Sequence, residues 1–200
     1  MDVDIPAFSK QQLHQQLERL LNAFETKGIN VKNSLLPGLS EQEIREQCAW
    51  FPGNIPEEII ALYEWRGGQD ESLGDDRFVF RDNKFCSLKK AEAEYQSMMQ
   101  FYGIIDESTG QETLKYSFPI ASFDGAFYVI PTKSHSFDSA LEKPIISVFQ
   151  GFDIFYYSLE KMVETCVEWV QHENYEVTGL YPEEVELEIW QKHNPGIFSG

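Results

Sequence analysis

Residues 36–68 read LPGLSEQEIREQCAWFPGNIPEEIIALYEWRGG: two short helices with legible starts, ended by an aromatic and paired glycines. Ser40 stands at an N-cap with Glu43 three residues on, so hydroxyl and carboxylate each satisfy an orphan amide at the helix start. Leu39 before the cap and Ile44 after it have the spacing of a hydrophobic staple. Pro52 and Gly53 stop this helix. The next is expected to carry Pro56 at its first helical position, where a missing N–H costs nothing. Glu57 and Glu58 then fall in the first turn, where the helix dipole favours negative charge. Ile59, Ile60, Leu62 and Tyr63 supply an apolar face, and Gly67 or Gly68 is free to take a left-handed backbone beyond the end. No reactive constellation lies in this stretch, which points to a packed adaptor surface.

Upstream, Ser9 and Gln12 read as a capping box, and Leu13, Leu17, Leu20, Leu21 and Phe24 recur at helical spacing until Gly28. Downstream, Gln69 to Asp76 form a polar, acidic loop. Phe78-Val79-Phe80 is expected to be a short strand, Asp82-Asn83 a turn, and Phe85 to Ser87 a second strand. Ser87 caps a helix to about Tyr102, with Ala91, Tyr95, Met98, Met99 and Tyr102 on its inner face. Tyr116–Ala121 and Ala126–Ile130 flank Asp124-Gly125, a hairpin signal. Ile145–Phe149 and Phe152–Tyr157 flank a second turn at Gln150-Gly151. Ser158 caps a helix with Leu159, Met162, Val163, Cys166, Val167 and Val170 inside. Pro182 opens a last helix, closed by Asn194-Pro195-Gly196. Helices at both ends and hairpins in the middle predict an α+β fold: a mainly antiparallel sheet of about four to six strands with the helices packed on it.

The run L-P-G-L-S-x-x-E-I, then F-P-x-x-I-P-E-E-I-x-x-L-Y-x-W-x-G-G, resembles the SUKH superfamily, which includes the fungal cell-wall-synthesis regulator and many bacterial toxin-immunity proteins. The positions that carry it are Leu36, Pro37, Ser40, Ile44, Pro56, Trp65, Gly67 and Gly68. Phe118-Pro119-Ile120-Ala121, Asp124-Gly125 and Phe127-Tyr128-Val129-Ile130 are similar to the family's central strand pair, and Ser158-Leu159-Glu160 to the opening of its C-terminal helix. The chain departs from the pattern at Phe51 to Ile55, where Gly-x-x-Leu-Pro is usual, and at Arg66-Gly67, where Asn-Gly is usual. The resemblance implies an N-terminal helical extension over 1–35, a SUKH-like domain over 36–172, and an acidic C-terminal helix over 173–200 packed on that domain.

Asp and Glu number 33 against 16 Lys and Arg, a formal charge of −17. Such a chain repels nucleic acid, whose phosphates need cations to displace counterions, and repels anionic membrane surfaces. It attracts a basic partner and speeds the encounter. Three widely separated cysteines, Cys48, Cys86 and Cys166, with no C-x-x-C, read as reduced thiols of an intracellular protein. The amino terminus shows no secretory h-region, and no apolar run is long enough to span a bilayer. The expected location is the cytoplasm.

No phosphate-binding loop, dinucleotide fingerprint, zinc-protease helix or nucleophile elbow occurs. His14, His135, His172 and His193 are isolated, and His14 falls near the polar side of its helix. No spacing selects a metal site or a carboxylate pair, and Asp70 with Asp75-Asp76 fails the calcium-loop pattern. Trp50, Trp65, Trp169 and Trp190 suit either core or interface, and Trp65, at a family position, reads as core. From Gly151 onward ten acids face only Lys161 and Lys192. That run is either a solvated face, which is usual, or a docking edge.

No catalytic residue, metal or cofactor is therefore expected. The resemblance implies an immunity protein that neutralises a cognate toxin, such as a nuclease with a basic cleft, by direct binding. The alternative is a regulatory or scaffold protein of the same superfamily without a toxin partner. Candidate partner-binding residues are Asp70, Glu71, Asp75, Asp76 and Asp124, because exposed acids in loops are where binding residues concentrate.

Overall fold

The computed structural model describes residues 8–73, 78–102, 114–133, 143–149, 151–173, 175 and 183–197. Helix α1 spans Lys10–Thr26, α2 Glu41–Gln47, α3 Glu57–Trp65 and α4 Leu88–Tyr102. Strand β1 spans Lys84–Phe85, β2 Ser117–Phe123, β3 Ala126–Pro131, β4 Ile145–Val148 and β5 Phe152–Tyr156. Helices α5, Leu159–Gln171, and α6, Glu183–His193, follow. The chain is an α+β fold: the five strands form one antiparallel sheet in the order β1-β2-β3-β4-β5, flanked by helices.

The expected serine caps are present, although Ser9 and Gln12 form only the forward half of the expected capping box. Ser9 accepts from the Gln12 amide, Ser87 from Lys90 and Ser158 from Lys161. At Ser40 the capping box is complete: the hydroxyl accepts from the Glu43 amide, and the Glu43 carboxylate accepts from the Ser40 amide at 2.8 Å. Asp124 and Gly125 take φ of 48° and 83°, the left-handed pair that a two-residue hairpin turn requires.

Two expectations are corrected. Pro56 is the N-cap of α3, with extended backbone (ψ 162°), and the helix begins at Glu57. Its carbonyl accepts from the Ile59 and Ile60 amides, so proline supplies the acceptor that opens the helix. Phe78-Val79-Phe80 is not a strand. Phe80 forms an isolated bridge with Asn83 across a tight turn in which Arg81 has φ 52°. A turn that short leaves no length for a ladder, and Val79 and Phe80 are instead buried as core plugs.

The sheet has two unequal covers. Phe127, Val129, Ile146 and Val148 pack on one face with Met98 of α4 and Leu114. Tyr128, Ile130, Ile145 and Tyr156 enter the main core on the other. There α1 contributes Leu13, Leu17, Leu20, Leu21 and Phe24, and α5 contributes Met162, Val163, Cys166 and Val167. Trp65, Trp169 and Trp190 are all buried in this core. His14 is not merely polar surface: its Nε2–H donates to the Ala61 carbonyl of α3 at 2.7 Å. Glu58, in the first turn of α3, is buried and paired with Lys143 at 2.7 Å.

The Leu-Pro-Gly opener lies against the end of α3. Leu36 donates to the Gly68 carbonyl at 2.8 Å, Gly67 to Leu36 at 3.1 Å and Leu39 to Tyr63 at 3.0 Å. A Cβ on Gly38 would sit 2.0 Å from the Glu64 carbonyl oxygen, so the approach is backbone on backbone. The paired glycines divide the work: Gly68 has φ 98°, while Gly67 avoids the Pro37 carbonyl, 2.7 Å from where its Cβ would lie.

Candidate functional site

A cleft of about 300 Å³ opens between the segment after Gly68, strand β1, the first turns of α4 and the tip of the β2–β3 hairpin. It gathers Asp70, Glu71 and Asp124, three of the five expected partner-binding residues. Asp75 and Asp76 lie outside the described residues.

One wall follows from the glycine pair. The left-handed Gly68 has no room for a side chain, since a Cβ would lie 2.4 Å from the Ser87 backbone. The chain then runs along β1. Gln69 donates its amide to the Phe85 carbonyl, and Asp70 donates to Ser34 at 2.7 Å. The Asp70 carboxylate accepts from the Ser72 hydroxyl at 2.6 Å and the Ser72 amide at 2.9 Å. Those two bonds favour the charged form and hold the carboxyl below its ordinary range. Glu71 begins a single 3₁₀ turn, Glu71–Leu73, and is exposed, as is Leu73 at 55 %.

The opposite wall is the hairpin tip. Asp124 is exposed, and Phe123 beside it is 45 % exposed despite being a large apolar ring. Phe78 meets Phe123 edge-to-face at a centroid distance of 4.7 Å. That contact fixes the ring in place at the mouth of the cleft.

The floor is Phe85, Cys86 and Ser122, all buried. The Ser122 hydroxyl donates to Glu94 at 2.8 Å, and Lys90 pairs with the same carboxylate oxygen at 2.8 Å. The Cys86 thiol donates to Ser122 at 3.4 Å. Burial pushes that thiol up to about 12, so it stays protonated and lacks the thiolate of a nucleophilic cysteine. Among the described residues no group of three or more His, Cys, Asp or Glu side chains could hold a metal ion. No helix of the described residues is long and apolar enough to cross a membrane.

The motif residues Leu36, Pro37, Gly67 and Gly68 form the ledge from which Gln69 and Asp70 extend into the cleft. Ser40, Ile44, Pro56 and Trp65 stand behind it in the α2–α3 pair. Gln69, Lys84, Lys90, Glu94, Ser122 and Phe123 also line the cleft and were not among the expected site residues. Lys90 and Glu94 stand at i, i+4 on α4, a local spacing from which this ion pair could have been found. Nothing local marks Ser122, which reaches the cleft because β2 pairs with β1 at Lys84↔Ser122.

The acidic C-terminal run is partly engaged within the fold. Glu164 accepts from Gln16 and Lys161, Glu168 from Lys192 and His193, and Glu186 pairs with Arg81. Arg81 lies over the Trp169 ring at 5.2 Å and the Phe155 ring at 5.6 Å, so this contact ties α6 to the core.

Compared with known proteins, the chain matches no family model and no curated protein.

Proposed function

We propose that this chain is a non-enzymatic protein-binding module of the SUKH kind, an immunity protein that neutralises a cognate toxin by direct contact. The observation that carries the proposal is the convergence of Asp70, Glu71 and Asp124 on one cleft, although Asp124 is some fifty residues from the other two in sequence. Acids gathered at one mouth, on a chain of charge −17, attract a basic surface over long range. The exposed Leu73 and Phe123 beside them offer the apolar contact that holds a partner once it arrives. A toxin with a basic substrate cleft, such as a nuclease, is the matching partner. An acidic plug there excludes its substrate. The three free, buried thiols suit a reducing compartment, and the proposed site of action is the cytoplasm.

The test reverses charge at the cleft with Asp70→Lys, Glu71→Lys and Asp124→Lys together. Partners are first captured from the native cell at low and at high salt and identified. Association of the identified basic partner with the triple variant should slow about tenfold at low salt and lose most of its salt dependence. Unchanged affinity with an unchanged salt slope would overturn the proposal.

A further inference from the structure

The geometry points to a more specific occupant: the cleft seats one arginine side chain of the protein partner, with its guanidinium against the Phe123 ring and within reach of the Asp124 and Asp70 carboxylates. This rests on the partner-binding proposal above and says which side chain delivers the contact.

The shape and the charge agree. A volume of about 300 Å³ holds a single long side chain and is too small for a helix or a folded loop. Four carboxylates line it, from Asp70, Glu71, Glu94 and Asp124, against two ammonium groups, from Lys84 and Lys90. Lys90 is already matched by Glu94 at 2.8 Å, and Glu94 also accepts from Ser122. Lys84 offsets one further charge, so the lining keeps an excess of two carboxylates among Asp70, Glu71 and Asp124. A cation on a long apolar stem fits that excess: methylenes along Phe85 and the neutral Cys86, and charge toward the rim.

Phe123 selects arginine over lysine. Its ring is substantially exposed, held by Phe78, and next to a carboxylate. A planar guanidinium stacks on an aromatic face and keeps its in-plane N–H groups free for carboxylates, whereas an ammonium is a compact, strongly hydrated charge with no such face. Aromatic stacking and paired acceptors side by side are the features that distinguish the two cations.

The test titrates the intact protein, labelled with ¹⁵N, with Nα-acetyl-arginine amide and separately with Nα-acetyl-lysine amide. Backbone amide shifts report both binding and the folded state of every variant. Saturable shifts are expected at Phe85, Ser122, Phe123 and Asp124, with the arginine probe binding about fivefold tighter than the lysine probe. Phe123→Leu keeps the apolar volume and should abolish that preference. Asp124→Asn keeps the left-handed turn, which asparagine tolerates, and should weaken both probes. Absence of saturable shifts at the cleft would overturn the inference, as would equal binding of the two probes. If the cleft takes no arginine while an identified basic partner still binds and still responds to charge reversal, the arginine seat fails and the partner proposal stands. If arginine binds but charge reversal leaves the partner untouched, the partner proposal is the one that fails.

Discussion

Gln69 completes the edge of the sheet with its side chain. Its backbone N–H donates to the Phe85 carbonyl at 2.8 Å, and its side-chain Oε1 accepts from the Phe85 N–H at 2.8 Å. Both residues are buried, at 4 % and 1 % exposure, so the pair replaces a strand partner that the two-residue β1 would otherwise lack. The bridge from Gln69 to Leu35 continues the same edge outward. Asp70 is aimed at the cleft because its neighbour is fixed in this way.

Gln69→Leu should destabilise the fold by about 1–3 kcal/mol, since it leaves the Phe85 N–H buried without that acceptor. Urea unfolding would read this as a lower midpoint at an unchanged slope. A midpoint within experimental error of wild type would show that the pair contributes nothing.

Gly38→Ala and Gly28→Ala should separate cleanly. A methyl on Gly38 would meet the Glu64 carbonyl at 2.0 Å, which only backbone movement can relieve. A methyl on Gly28, at φ 75°, meets nothing within 4 Å and suffers only the left-handed backbone. The expected costs are on the order of 3 kcal/mol for Gly38 and about 1 kcal/mol for Gly28. Thermal or urea unfolding of the two variants side by side checks the order.

Asn194→Ala should loosen helix α6. Asn194 is fully buried; its Oδ1 accepts from Tyr157, and its Nδ2 donates to Thr165 and to the Trp190 carbonyl. Removing three bonds that join β5, α5 and α6 should cost about 2 kcal/mol. Hydrogen exchange should speed up across residues 183–197 more than in β2 and β3.

Acid should weaken the same helix through Glu168. Burial works to raise that carboxyl, but hydrogen bonds from Lys192 and His193 outweigh it and hold it below its ordinary value. A depressed folded-state pKa means the stabilisation is fully present above the unfolded value of about 4.3 and is lost as pH falls through the folded one. Solvent screening keeps the effect below about 1 kcal/mol. Glu168→Gln should therefore narrow the stability difference between pH 7 and pH 3, measured by unfolding at both values.

The thiols should be inert in the native state. Cys48, Cys86 and Cys166 are buried, and burial pushes each up to about 12. Aromatic-disulfide labelling at pH 8 should modify none of them until denaturant is added, including Cys86 at the cleft floor.

Much of the fold was legible because its signals are local. A serine three residues before its amide partner, a proline beside a carboxylate-rich first turn and an Asp-Gly between apolar runs each act within about four residues. They marked α1 to α5 and both hairpins. Phe78 to Phe80 misled because alternation in so short an apolar run cannot distinguish a strand from core plugs either side of a turn. The glycine pair was legible as a turn. That Gly38 is needed for the backbone approach to Glu64 was not, because the contact is made 26 residues away.

By itself the sequence determined most of the secondary structure, the sheet's antiparallel character and the acidic charge, since caps, turns and composition are properties of neighbouring residues. Only the tertiary structure decided that Asp70, Glu71 and Asp124 share a cleft with Phe123, and that Glu168 pairs with Lys192 and His193 and Glu186 with Arg81. Those outcomes depend on strand order and helix packing, which bring distant residues within a few ångströms and which no local pattern encodes.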